Sequence, residues 1–69
     1  MNIRLLNLGF VRKPDGTYLH IEAGYKVEVL LGDKYNILDI YSGKVTTDVD
    51  YNYVEYVVFT GMEKSYDNR

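Results

Sequence analysis

The sequence predicts a mainly β fold, a single small antiparallel β-meander of about five to six strands. The sheet is expected to be twisted or curled into a small open barrel, and the class becomes α+β if a short N-terminal helix forms. Three observations predict this. Turn chemistry recurs at Pro14-Asp15-Gly16, Gly32-Asp33 and Ser42-Gly43. The stretches between alternate apolar and polar residues and are rich in Val, Ile, Thr and Tyr, which suits a pleated, half-buried surface. With 69 residues and no cysteine, the chain is one domain that neither disulfides nor a thiolate zinc site can staple. Sheet packing or self-association must supply the stability instead.

Residues 2–8, NIRLLNL, read best as a two-turn helix. Asn2 is its N-cap, Gly9 the left-handed residue past its end, and Phe10 folds back on Leu5 as in a Schellman ending. Two turns are not stable alone, so the helix depends on Ile3, Leu5 and Leu6 reaching a core. A first strand is the alternative.

Lys13-Pro14-Asp15-Gly16 is a type I turn followed by a glycine bulge, since Pro presets φ and Gly accepts the positive one. That turn sets Val11 opposite Leu19 and Arg12 opposite Tyr18. Val11, Leu19 and Ile21 are then the expected core side. Phe10, Arg12, Tyr18, His20 and Glu22 form the expected outer side, with His20 a surface imidazole.

Gly32-Asp33 reads as a two-residue hairpin loop, which places Val27 opposite Leu38, Tyr25 opposite Ile40 and Lys26 opposite Asp39. Ser42-Gly43 as a tight turn continues that face, with Val45 meeting Ile40 and Thr47 meeting Leu38. NYVEYVVFT, residues 52–60, is expected as a strand because it is rich in β-branched and aromatic residues. A helix capped by Asp50 is the other reading of that stretch. Gly61 is expected to end it, so that residues 1–61 form the domain and 62–69 a polar, flexible tail.

The same sequence argues against several functions. Ser42-Gly43-Lys44-Val45 lacks the earlier glycine and the following Ser or Thr of a phosphate loop. Asp48, Asp50 and Asn52 begin like a calcium loop, but Tyr53 and Phe59 stand where Gly and Glu are needed. One His and no Cys make a poor transition-metal set. A meander of this size has little room for a desolvated cleft, so no enzyme activity, cofactor or metal is expected.

No apolar run is long enough to span a bilayer, and the start of the chain does not resemble a signal peptide. A cytoplasmic location is expected, in a host cell if the chain is phage-encoded, as its composition, rich in Asn, Asp, Lys and Tyr, suggests.

Eight tyrosines and no tryptophan point to binding, because Tyr gives rigid amphipathic contact area. Asp48, Asp50, Tyr51, Tyr53 and Glu55 form the expected partner-binding cluster. Phe10, Arg12, Tyr18 and His20 form a second surface. The function these imply is a non-catalytic protein-interaction module, such as a phage or mobile-element protein acting on a host protein through an acidic, Tyr-rich β surface. A barrel stacking single-stranded nucleic acid on Tyr is an alternative, although the net charge of −2 opposes it. A homo-oligomer subunit pairing through an edge or the last strand is another.

Overall fold

The computed structural model describes residues 2–67. Helix α1 (Ile3–Asn7) leads into strands β1 (Val11–Arg12), β2 (Tyr18–His20), β3 (Tyr25–Leu30), β4 (Lys34–Asp39) and β5 (Val45–Val49), and helix α2 (Tyr51–Asp67) closes the chain. The strands form one antiparallel sheet in the order β1-β2-β3-β4-β5, a meander open at both edges.

Local chemistry builds the N-terminal third as expected. Asn2 Oδ1 accepts the Leu5 amide at 3.1 Å. At the far end Gly9 N–H donates to Leu6 O and Phe10 N–H to Leu5 O, with Gly9 at φ +102, which is the Schellman pattern. The first hairpin closes through Gly16 N–H to Lys13 O and Lys13 N–H to Thr17 O. Its register pairs Val11 with Leu19 and Arg12 with Tyr18. Asp15 accepts both the Thr17 amide and hydroxyl, which holds its carboxyl below the usual range, with Lys26 adding to the effect.

The two faces of that hairpin are the reverse of the expectation. Phe10, Tyr18 and His20 are buried in the core, while Val11 is 58% exposed and Ile21 71%. The alternation itself is right, and the polar tips decide its sense. Tyr18 Oη accepts the Asn2 amide at 2.7 Å, and both His20 nitrogens find backbone partners. Large rings can therefore be buried without an unmet hydrogen bond.

The second hairpin is slipped by one residue. Tyr25 pairs with Asp39, Val27 with Ile37 and Leu30 with Lys34, so the loop is Leu31-Gly32-Asp33. Gly32 and Asp33 both have positive φ. A one-residue slip exchanges the faces of a strand, and here it brings Tyr35 and Ile37 inward in place of Leu38 and Ile40. The third connection is also longer than a tight turn. Asp39 Oδ1 accepts the amides of Tyr41 and Ser42, and Val45 pairs with Leu38 rather than Ile40. A bulge follows in β5, where Asp48 takes φ 58.

The largest correction concerns residues 52–60, which are helical. Asp50 caps α2, its Oδ1 accepting the Tyr53 amide at 3.0 Å. Val54, Val57 and Val58 are buried, at the spacing of one helix face. Strand propensity loses because the inner face of the sheet needs a cover, and these valines supply it. Gly61 lies within the helix, which runs on to Asp67 through most of the expected tail. Loss of the cap should register directly: Asp50→Ala is expected to destabilise by about 1 kcal/mol and Asp50→Ser by much less, measured by urea unfolding. Equal losses would mean that the cap does not hold α2.

The core comprises Leu5, Phe10, Tyr18, Ala23, Val27, Tyr35, Ile37, Val54, Val57 and Val58. Asn2 ties its two buried phenols together, since its side-chain amide donates to Tyr35 Oη at 3.3 Å. The outer face of the sheet is left uncovered by any described element. Register carries one row straight across it: Val11, Leu19, Lys26, Leu38, Val45. Val45 is 58% exposed, like Val11.

Candidate functional site

The helical form of residues 51–67 redistributes the expected binding cluster. Asp48 sits in the β5 bulge, where its amide donates to Asn36 Oδ1 at 3.1 Å. Asn36 in turn donates to Glu28 on β3. Asp50 is committed to the cap. Tyr51 is half-buried under Arg4, whose guanidinium carbon stands 4.1 Å from the ring centroid, and its hydroxyl donates to Arg4 O at 3.4 Å. Such a cation–π contact contributes roughly 0.5–1 kcal/mol, so Tyr51 clasps the two helices together. Glu55, four residues on, follows Tyr51 on that side of α2.

Tyr53 turns away from both. Its ring lies 6.3 Å from that of Tyr56, and Phe59 continues the row at the same three-residue step. Tyr53 is 39% exposed, Tyr56 62% and Phe59 52%. The structure thus keeps Tyr53 from the expected cluster and adds Tyr56 and Phe59, which sequence reasoning missed. The signal was their spacing, which becomes meaningful only at 3.6 residues per turn.

Charge is segregated onto the same segment. Residues 48–63 contain four acids, Asp48, Asp50, Glu55 and Glu63, and no basic residue. Two basic side chains border the segment, Arg4 over Tyr51 and Lys44 across a cleft from Tyr53, while Arg12 and Lys13 lie at the first hairpin and Lys26 on the outer sheet face. Of the second expected surface only Arg12 is exposed, because Phe10, Tyr18 and His20 belong to the interior.

One cleft opens between the sheet and α2, lined among others by Tyr25, Asp39, Lys44, Thr46 and Tyr53. Its volume of about 230 Å³ falls below the roughly 300–1,000 Å³ of small-molecule sites. Burial, then the charge of Asp39, then Tyr53 push the Tyr25 phenol above its ordinary value. The phenol is therefore held in its neutral form here. Folding favours its neutral form, so this contribution is whole below the ordinary value of 10.0 and is lost as pH rises from there through the higher folded value. In an absorbance titration of the phenolates, Tyr25→Phe is expected to remove a late-titrating fraction. If the high-pH end of the curve is unchanged, the cleft does not hold the phenol neutral.

Among the described residues, no three His, Asp or Glu side chains converge as a metal site requires. No described helix is long and apolar enough to cross a membrane. The chain matches no protein-family model, no curated protein and no solved structure, so the site is read from its own chemistry.

Proposed function

We propose that this protein is a non-catalytic protein-interaction module whose binding element is the outer face of α2. The observation that carries the reading is the solvent-facing row Tyr53, Tyr56 and Phe59 on a helix whose opposite face is already used by the core. Exposed aromatics at this spacing are the anchors of helix-in-groove recognition, and Tyr is enriched at binding hot spots. The surrounding acids suit a groove rimmed by Lys and Arg. A host protein is the partner the reading names for a phage-encoded chain. Compared with the sequence-level expectation, the surface has moved from a β-strand to a helix while keeping its aromatic and acidic character.

A photo-crosslinking residue placed at Tyr56 tests this in extract of the source cells. A discrete protein adduct is expected, displaced by excess wild type and not by a Tyr56→Ser, Phe59→Ser variant. Adduct formation no greater than from the same crosslinker at Leu31, 97% exposed in the loop between β3 and β4, would end the proposal.

A further inference from the structure

The row Val11, Leu19, Lys26, Leu38, Val45 is the largest feature that the binding helix leaves unexplained. It crosses all five strands through consecutive registered pairs, a width of about 19 Å at strand spacing. Thr17, Glu28 and Asn36 form the polar row beside it, and Lys26, Leu38 and Val45 border the same shallow depression. An apolar stripe with one ammonium at its centre calls for an occupant that is apolar or aromatic and carries an acid.

Two copies packed sheet to sheet do not meet that requirement. A two-fold axis along β3 would set Lys26 against Lys26, and one displaced to either side would lay Lys26 unpaired on Leu19 or Leu38. An axis across the strands, placed to bring Lys26 over Glu28, would lay Leu19 and Leu38 over the polar row of Thr17 and Asn36. The outer face of α2 fits better. It presents Tyr56, Phe59 and Glu63, with Tyr53 on one flank and Glu55 on the other, and no base between residues 48 and 63. From Asn52 to Glu63 it extends about 16 Å, close to the width of the row. The inner face of the same helix already packs on the inner face of the same sheet, so helix-on-sheet layering is the packing this domain uses.

We infer that the aromatic face of α2 docks on the uncovered sheet face of a second copy of this chain, head to tail, with Lys26 meeting Glu63. The inference rests on the reading of α2 as a binding face and adds a second occupant of that face, the sheet of another copy, which would compete with a host protein. Glu28 is engaged by Asn36 at 3.1 Å, and the Lys26–Asp15 pair at 3.8 Å is solvent-exposed on both sides, so Lys26 can be re-engaged at little cost. A contact between two different surfaces is heterologous, and it propagates into rings or filaments unless one end is blocked.

Sedimentation velocity of the purified full chain, from micromolar to millimolar concentration, tests this. Wild type should associate with rising concentration. Lys26→Glu alone, and Tyr56→Ser with Phe59→Ser, should each weaken association by about tenfold or more. An equimolar mixture of the two variants should form dimers that grow no further, because each copy retains one intact surface. A wild type that stays monomeric throughout overturns the inference, as does a variant that associates undiminished or a mixture no larger than its components. In any of these cases the Tyr56 crosslinking result stands separately and decides the binding role of α2. Since the chain has no cysteine, Val45→Cys mixed with Asn52→Cys, both exposed positions, gives a check that leaves Lys26, Tyr56 and Phe59 in place. Disulfides should form between unlike copies in preference to like ones, and the reverse preference would overturn the head-to-tail arrangement.

Discussion

His20→Phe is expected to lower folding stability by about 2–4 kcal/mol, because it strips one buried and one part-buried backbone group of their partner. The Ala23 amide donates to Nδ1 at 3.1 Å. Nδ1 is therefore the bare nitrogen, and Nε2–H donates to Leu8 O at 3.0 Å. One ring thus bolts the end of α1 to the turn after β2, and it packs edge-on to Phe10 with centroids 5.2 Å apart. Phenylalanine preserves most of the ring volume and the contact with Phe10 while removing both hydrogen bonds, which isolates their contribution. A domain of this length has only about 3–10 kcal/mol in total, so the loss would be plain in urea unfolding followed by circular dichroism. A surface imidazole would give a change within about 0.5 kcal/mol, and that result would refute the buried bolt.

Gly61→Ala makes two physical arguments oppose each other. On helix propensity alone, alanine in the interior of α2 should stabilise by about 1 kcal/mol. Packing predicts the reverse. A Cβ at this position would lie 2.8 Å from the Ala23 carbonyl oxygen and 3.2 Å from both Ala23 Cβ and the Tyr25 ring. The carbonyl cannot easily yield, since its turn is closed by Gly24 N–H to His20 O at 2.9 Å. Overpacking of this kind costs about 1–3 kcal/mol, so a net loss is expected, and Gly61→Val should lose more. If alanine instead raises the urea midpoint, α2 stands farther from the sheet than this contact requires.

What could be read in the sequence was what local chemistry decides. Asn2 and Gly9 bracket α1 because a cap and a left-handed ending involve residues within a few positions of each other. Pro14 and Gly16 specify their turn in the same way. The sense of the hairpin faces depended on whether Tyr18 and His20 could satisfy their polar atoms, and their partners, Asn2, Leu8 and Ala23, are supplied by other parts of the chain. Residues 52–60 depart from the strand expectation for a related reason. Their valines favour a strand locally, and only the need to cover a sheet built elsewhere turns them into a helix. The capping role of Asp50 was visible, but the row of Tyr53, Tyr56 and Phe59 could not be seen until the period was known.

The three-residue loop Leu31-Gly32-Asp33 also marks where the molecule can be altered for practical use. All three residues are exposed, Leu31 at 97%, and nothing lies within 4 Å of where a Gly32 side chain would begin. The Leu30–Lys34 pair fixes both ends of the loop, so a short insertion there adds mainly closure entropy, about 0.6 kcal/mol for each doubling of loop length. A fluorophore, epitope or surface tether carried at this tip replaces no residue of the aromatic helix face or of the Lys26 row.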